Sequence, residues 1–134
     1  LEITEGVSAA SGGLILDRLA TLRRLGFSIA IDDFGSGYSN MSYLTRLSAH
    51  TLKIDKSLVR GVEADSLGGR LVSNIVQMGR DLGYRMVAEG IETEAERALL
   101  AAWGCDLGQG WHFGRPMPAP AFGDWHSGLA RAAR

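Results

Sequence analysis

Short apolar runs alternate along the chain with longer segments that have helical spacing. The short runs are rich in Ile, Val and Leu, which is typical of strands buried on both faces of a parallel sheet. They predict five strands, at residues 1–5, 29–33, 51–55, 84–92 and 105–110. The longer segments show the periodicity of amphipathic helices. They predict helices at residues 14–25, 40–47, 67–82, 93–103 and 122–133.

Residues with known preferences for helix ends support these boundaries. Thr93 and Glu96 have the spacing of a capping box, in which each side chain accepts a hydrogen bond from the other residue's backbone. Three of the predicted helices are followed directly by Gly26, Gly83 or Gly104, as expected of the glycine that ends a helix. Within the helix at 67–82, the spacing predicts one apolar face, made of Leu67, Leu71, Ile75, Met78 and Leu82.

Repeated strand–helix units joined by short loops predict parallel strands with right-handed crossovers. The fold is therefore either an open α/β sheet or part of a barrel. An open sheet gathers its ligand at one switch point, whereas a barrel draws site residues from many strands around a common mouth. Every predicted strand carries a polar or ionisable residue at or near its end, namely Glu2, Asp32, Lys53, Glu89 and Gln109. This convergence favours the barrel.

Composition and charge narrow the class of protein. With 134 residues, 46% of them hydrophobic, the chain is long enough for one domain with a substantial core. The 14 basic and 15 acidic residues give a net charge of -1, so bulk charge gives no reason to expect nonspecific binding of nucleic acid or membranes. Cys105 is the single cysteine, and no signal peptide or membrane-spanning run is visible. We therefore expect a cytoplasmic protein.

The second predicted strand ends in the pair Asp32 and Asp33, followed by a glycine-rich loop. Two adjacent carboxylates repel each other unless a cation or a proton offsets their charge, so the pair favours a divalent metal site. From this pair alone, a metal site is no better supported than the alternative that both residues are solvated turn residues or helix caps. A similar choice exists for Lys53 and Asp55, which belong either to a site or to a structural ion pair within the barrel.

The polar strand ends belong to longer motifs. These are Leu-Glu-Ile-Thr-Glu at 1–5, Ile-Asp-Asp-Phe-Gly-Ser-Gly-Tyr-Ser at 31–39, Leu-Lys-Ile-Asp at 52–55, Val-Ala-Glu-Gly-Ile-Glu-Thr at 87–93, Gly-Cys-Asp at 104–106, Gln-Gly at 109–110 and Arg-Pro at 115–116. In this order they resemble the motifs of the EAL family of bacterial cyclic di-GMP phosphodiesterases. The resemblance makes residues 1–134 a partial EAL domain.

The fold implied by this resemblance is α/β, with the C-terminal five β/α units of a (β/α)₈ TIM-type barrel. Such a barrel typically needs about 250 residues. We therefore expect the first three strands, including the one that bears the Glu-Ala-Leu signature, to be absent from this chain and to lie upstream of Leu1.

The resemblance also implies a role for the polar strand ends. It makes metal ligands of Glu2, Asp32, Asp33 and Glu89, with Asp32 bridging two Mg²⁺ or Mn²⁺ ions. Lys53 and Glu89 would be catalytic, Lys53 by holding the attacking water or the scissile phosphate. Two metal ions suit phosphodiester hydrolysis, because they lower the pKa of the attacking water and offset charge on the phosphoryl oxygens.

The remaining residues implied by the resemblance surround this centre. Glu92 and Gln109 would complete a polar mouth for the substrate. Glu5 would steady the glycine-rich loop that contains Gly35 and Gly37. Two further ligands, the signature glutamate and an asparagine, are expected upstream of this sequence, so the chain alone is expected to be inactive.

The implied activity is hydrolysis of cyclic di-GMP to linear pGpG. The alternative is a catalytically inactive EAL-like module, which either binds cyclic di-GMP without hydrolysing it or binds a protein partner. Retention of the carboxylates and the lysine favours the enzyme, because a receptor need not keep metal ligands. The resemblance also allows a homodimer and an upstream sensory or GGDEF domain.

Overall fold

The computed structural model describes residues 1–4, 13–37, 44–47 and 49–132. Its helices and strands alternate as expected for a β/α protein. In chain order they are β1 (Glu2–Thr4), α1 (Gly13–Arg24), β2 (Ala30–Phe34), β3 (Thr51–Ile54), α2 (Lys56–Val59), α3 (Leu67–Asp81), β4 (Arg85–Ala88), α4 (Glu94–Ala102), β5 (Leu107–Gly108) and α5 (Ala119–Ala132).

The strands form one five-stranded sheet in the order β1-β2-β3-β4-β5, and every neighbouring pair is parallel. Each strand therefore pairs with the next one along the chain. The order does not reverse, as it would at the switch point of a doubly wound sheet. Strands added in one direction are the pattern of a β/α barrel. The expected parallel β/α arrangement is confirmed.

The register of the first three strands places their polar residues on one side of the sheet. Glu2 pairs with Ala30, which in turn pairs with Thr51. Asp32 and Lys53 each lie two residues further along their own strands. Because side chains alternate along a strand, both point to the same side as Glu2.

The register of β4 extends this side to a fourth strand. Lys53 pairs with Val87, and Glu89 lies two residues beyond that partner. Glu89 therefore points to the same side of the sheet as Lys53. The predicted convergence of strand ends follows directly from this register.

The opposite side of the sheet carries the core. Buried side chains on that side include Ile31, Leu52, Ile54, Met86 and Ala88. Helix α3 approaches β4 very closely, since a Cβ atom added at Gly79 would lie 2.2 Å from Sδ of Met86. A side chain at position 79 would therefore displace the buried side chain of Met86.

The buried face of α3 differs from the predicted one. Its buried residues are Gly69, Val72, Ile75, Val76 and Gly79. The predicted face is wrong except near Ile75, because Leu67 is 80% exposed and Leu71 is 49% exposed. The physical reason is the close approach at Gly79, which selects the face with glycines and β-branched residues over the leucine face beside it on the helix.

Element boundaries differ from the prediction in several places. The strands β4 and β5 are shorter than predicted, and α5 begins at Ala119 rather than at Phe122. Helix α2 was not predicted, because its four residues are too few to show a helical period. Half of the helix predicted at 40–47 lies outside the described residues, and 44–46 form a turn. In the described parts of the chain, no helix has both the length and the apolar character needed to cross a membrane.

Candidate functional site

Asp32 and Asp33 project together because β2 is bulged. The pairing of β2 with β3 shifts between Ile31 and Phe34. Asp33 has a φ of 56°, in the left-handed region. In a regular strand its side chain would point away from that of Asp32, but a bulge re-aims a side chain. Carboxylate oxygens of both residues lie within 4.8 Å of each other, while Phe34 returns to the core.

Lys53 lies at the centre of the converging strand ends. Its Nζ lies 2.7 Å from Oε1 of Glu89, 2.8 Å from Oδ1 of Asp32 and 2.9 Å from Oε1 of Glu2. The lysine comes from β3, and the carboxylates come from β1, β2 and the end of β4. Four consecutive strands thus supply one group of charges. We call Glu2, Asp32, Asp33, Lys53 and Glu89 the strand-end cluster.

The strand-end cluster has more negative than positive charge. Burial lowers the pKa of Lys53, but its contacts with the carboxylates of Asp32, Glu2 and Glu89 raise it by more. The pKa of Lys53 therefore lies above its ordinary value, and the side chain is an ammonium at neutral pH. This single cation faces several carboxylates, so the cluster keeps an excess of negative charge.

One oxygen of the cluster lacks a hydrogen bond. Oδ1 of Asp32 is buried, and among the described residues nothing donates a hydrogen bond to it. Its 2.8 Å contact with Nζ of Lys53 is an ion pair. A buried charged oxygen in this state is energetically costly, and it is the kind of atom that a cation satisfies.

The donor set fits a divalent metal ion. Asp32, Asp33 and Glu89 each offer a carboxylate oxygen, and these atoms lie within 4.8 Å of one another. Carboxylate oxygens are hard ligands, which suit Mg²⁺ and Mn²⁺. Together with the unsatisfied oxygen of Asp32, they form a site to which a divalent cation would supply the missing charge.

A cavity of about 1040 Å³ opens at the C-terminal ends of β4 and β5. Glu89, Glu92 and Gln109 line it, so Glu89 belongs both to the cavity and to the strand-end cluster. Trp111 and Arg115 also line the cavity, and the guanidinium carbon of Arg115 lies 4.5 Å from the centroid of the Trp111 ring. This is a cation–π contact. The walls therefore combine charged, amide and aromatic groups.

Glu96 connects two loops near the cavity. Its Oε1 accepts a hydrogen bond of 2.8 Å from the backbone of Gly61. Its Oε2 accepts from the backbones of Glu92 and Thr93, at 2.8 and 3.0 Å. The predicted capping box of Thr93 and Glu96 is confirmed. Burial raises the pKa of Glu96, but the hydrogen bonds lower it by more, so that the pKa lies below its ordinary value.

Asp55 has a structural role. Its Oδ1 accepts a 2.9 Å hydrogen bond from the backbone of Ser57 and caps α2. Burial raises the pKa of Asp55, but this hydrogen bond and its neighbours lower it by more. The reading of Lys53 and Asp55 as a structural ion pair is wrong, since Lys53 pairs with the carboxylates of the strand-end cluster.

The glycine-rich loop is described only in part. Gly35 has a φ of 92°, and a Cβ atom added there would lie 2.4 Å from Cδ1 of Leu58. A larger residue would therefore disturb the backbone and the contact with α2. Gly37 is exposed, with open space around it. Glu5 lies outside the described residues, so its support of the loop stays a prediction.

The sequence model of the EAL domain family matches residues 1–116 of the chain. The chain belongs to the EAL domain family. It is 45% identical over 119 residues to the bifunctional diguanylate cyclase/cyclic di-GMP phosphodiesterase MucR of Pseudomonas aeruginosa. The match covers 89% of this chain and 17% of MucR. It is 40% identical over 125 residues to the cyclic di-GMP phosphodiesterase PA2567 of the same species. That match covers 93% of this chain and 21% of PA2567. The chain thus spans less than a quarter of either relative.

Solved EAL structures share the fold. The MucR phosphodiesterase in complex with c-di-GMP has a TM-score of 0.84 at 44% identity, over 91% of this chain and 49% of that one. BlrP1 of Klebsiella pneumoniae, solved with manganese and c-di-GMP, has a TM-score of 0.78 at 39% identity, over 86% of this chain and 29% of that one. The barrel-type β/α fold expected of this part of an EAL domain is confirmed.

Within this EAL domain the predicted site residues fall into two groups. The proposed metal ligands and Lys53 form the strand-end cluster, whereas Glu92 and Gln109 line the cavity, which Glu89 also lines. Sequence reasoning missed Arg60, which pairs with Glu92 at the cavity wall. It also missed the packing of Arg115 on Trp111. Arg60 ends a helix that is too short for a periodic signal, so nothing in the pattern singled it out.

Proposed function

We propose that residues 1–134 form the later part of an EAL phosphodiesterase domain that hydrolyses cyclic di-GMP to linear pGpG. The observation that carries the proposal is the convergence of Glu2, Asp32, Lys53 and Glu89 from four consecutive strands, beside a cavity. The names of MucR and PA2567, which are both cyclic di-GMP phosphodiesterases, support the same activity.

The carboxylates of the strand-end cluster would hold two divalent ions, Mg²⁺ or Mn²⁺. Supporting observations are the clustered oxygens of Asp32, Asp33 and Glu89 and the buried Oδ1 of Asp32, which has no hydrogen bond from the described residues. Glu2 would complete the set from β1. Bound ions would lower the pKa of the attacking water and offset the charge that develops on the phosphoryl oxygens.

In the proposed reaction, the water oxygen forms a bond to phosphorus and the bond from phosphorus to the 3′ oxygen breaks. The 3′ oxygen leaves with one proton of the water, so one water is consumed for each ring that is opened. The ammonium of Lys53 would hold the attacking water or a phosphate oxygen, since a protonated lysine offers three donors and no acceptor. Its raised pKa keeps it in that form at neutral pH.

The cavity would hold the rest of the dinucleotide. Its volume of about 1040 Å³ is large enough for a ligand of this size. Glu92 and Gln109 would form the polar part of its mouth, and the ring of Trp111 offers a flat surface. Glu89 would link this cavity to the reacting phosphate, because it lines the cavity and also pairs with Lys53.

The test compares Asp33→Asn with Asp81→Asn in the full-length protein. Turnover is measured as pGpG, by chromatography, with cyclic di-GMP and Mn²⁺ or Mg²⁺. Asp33→Asn should lower turnover by about a hundredfold or more, because it removes a charged metal ligand but keeps the side-chain volume. Asp81→Asn makes the same chemical change on an exposed residue at the end of α3 and should leave turnover unchanged.

Two results would contradict the proposal. Near-normal turnover by Asp33→Asn at limiting metal would remove Asp33 from the metal site. Tight binding of cyclic di-GMP by the wild-type protein without any pGpG would favour the receptor alternative. A cytoplasmic location, a homodimer and an attached sensory or GGDEF domain stay predictions.

We also propose that the 134-residue chain alone does not turn over cyclic di-GMP, since the resemblance places two further ligands upstream of it. A metal site that lacks ligands loses affinity and geometry. Circular dichroism would first establish that the isolated chain is folded. Robust metal-dependent formation of pGpG by the folded chain would contradict this proposal.

A further inference from the structure

The ammonium of Lys53 contacts the same carboxylates that the proposed metal site would use. We propose that Lys53 is an internal counter-cation that competes with the divalent ion, so that metal binding displaces its ammonium from Asp32 and Glu89. This inference rests on the proposed metal site, and it concerns the state of the cluster before the metal arrives.

The contacts of Lys53 are unequal in a way that permits this displacement. Its shortest contacts, 2.7 and 2.8 Å, are with Glu89 and Asp32, which both belong to the group of clustered ligand oxygens. Its hydrogen bond, of 2.9 Å, goes to Glu2. The side chain of Glu2 is 58% exposed, so it lies at the edge of the cluster. A divalent ion on Asp32 and Glu89 would therefore displace the ammonium from the two inner carboxylates first.

The ammonium of Lys53 places a single positive charge against the buried oxygen of Asp32. Nζ of Lys53 lies 2.8 Å from Oδ1 of Asp32. A divalent ion at the same oxygen places two positive charges there, so it is the stronger electrostatic partner. Oδ1 of Asp32 is thus a point where a divalent ion gains more than the lysine loses.

Charge and burial make the competition strong. The side chain of Lys53 is only 10% exposed, so water screens its charge weakly. A divalent ion on Asp32 and Glu89 would lie close to the ammonium if the lysine did not move, and the two cations would repel each other. In the wild-type protein, the displaced ammonium would be free to bind a phosphate oxygen. In a variant, a neutral side chain at position 53 would remove both the competing cation and its repulsion of the divalent ion.

The test is calorimetric titration with Mn²⁺ alone, without nucleotide, on the full-length protein at constant ionic strength. The binding that Asp33→Asn abolishes identifies the site. Lys53→Met keeps an unbranched side chain of similar length, and it should bind Mn²⁺ about tenfold more tightly than wild type, or better. Lys56→Met removes a nearby lysine on α2 that does not pair with the cluster carboxylates, and its affinity should stay within about threefold of wild type.

A second variant and a second measurement keep the test decisive. Lys53→Arg retains the positive charge and should bind Mn²⁺ no more tightly than wild type. Lys53→Met should have a lower thermal midpoint than wild type in EDTA, and Mn²⁺ should raise that midpoint further than it raises the wild-type value. If Lys53→Met is too unstable in EDTA for calorimetry at the titration temperature, the rise of its midpoint with Mn²⁺, measured from its lower midpoint in EDTA, replaces the calorimetric comparison.

The failures are distinguishable. Equal or weaker Mn²⁺ binding by Lys53→Met, while wild type binds Mn²⁺ at the Asp33-dependent site, would overturn the competition and leave the proposed function standing. Tighter binding by Lys53→Arg would also overturn it, because the charge would then not be the cause. No Asp33-dependent binding of Mn²⁺ by wild type would overturn the metal site and this inference together.

Discussion

Asp32 and Glu96 are both carboxylates near the C-terminal ends of the strands, but different groups hold them. Glu96 is 5% exposed and accepts hydrogen bonds from three backbone N–H groups. Asp32 contacts the ammonium of Lys53, and its buried Oδ1 has no hydrogen bond from the described residues. Backbone donors thus satisfy the first carboxylate, while among the described residues Oδ1 of the second is paired with the ammonium of Lys53.

The difference separates structural carboxylates from site carboxylates. The structural ones, Asp55 and Glu96, are completed by the backbone and need no further partner. The site ones, in the strand-end cluster, outnumber the lysine that faces them. Asp33 adds backbone strain, because its φ of 56° is unfavourable for a residue with a side chain. Excess negative charge and local strain together are typical of functional sites, and they support the proposed metal site.

The largest expected effect is a loss of turnover when a site carboxylate, but not a structural one, is neutralised. Glu89→Gln and Glu96→Gln make the same change in neighbouring parts of the chain. Glu89→Gln should lower turnover of cyclic di-GMP by about a hundredfold or more, because Glu89 is a proposed ligand. Glu96→Gln keeps one oxygen as an acceptor and should lower turnover by less than about tenfold. Similar losses in the two variants, measured as pGpG formed, would break the distinction.

The next largest effect is a loss of stability when a structural carboxylate is removed. Glu96→Ala would leave the backbone N–H groups of Gly61, Glu92 and Thr93 without their acceptor. We expect the free energy of unfolding in urea to fall by about 2–4 kcal/mol. Glu94→Ala is the matched control on the same helix, since Glu94 is exposed and pairs only with surface groups, and it should have little effect. An equal loss in both variants would show that the contacts of Glu96 are not what stabilises this region.

The structural carboxylates should also determine the response to acid. The hydrogen bonds lower the pKa of Asp55 and Glu96 below their ordinary values of 3.8 and 4.5. The unfolded state therefore binds more protons in acid, so their contribution is complete above those values and is lost as pH falls from them through the lower pKa values of the folded state. Urea unfolding in EDTA, between about pH 7 and about pH 3.5, should show a shallower loss for Glu96→Gln than for wild type. An identical loss would show that Glu96 does not contribute to the acid response.

The convergence of the site was predictable from the sequence to the extent that it follows from regular strand geometry. Glu2, Asp32, Lys53 and Glu89 fall at strand ends, and the period of two in a strand places them on one side. The capping box at Thr93 was likewise readable, because it depends on local spacing alone.

Features that depend on contacts between distant segments were not predictable in this way. The bulge at Asp33 arises from the pairing of β2 with β3, and strand parity alone would have turned this carboxylate away from the cluster. The buried face of α3 is the one on which Gly79 packs against Met86, and it is not the face that carries Leu67 and Leu71. The packing of Arg115 on Trp111 likewise has no signal in the local pattern.

The smallest expected effect concerns the strain at Asp33 itself. Asp33→Gly and Asp33→Ala both remove the carboxylate, so the difference between them reports the backbone alone. At the left-handed φ of 56°, the glycine variant should be more stable than the alanine variant by about 1 kcal/mol in urea with EDTA. At Asp32, the neighbouring residue outside the left-handed region, the order should reverse, because glycine in a strand is about 0.5–1 kcal/mol less stable than alanine. If the alanine variant were the more stable one at Asp33 as well, the left-handed backbone there would carry no measurable strain.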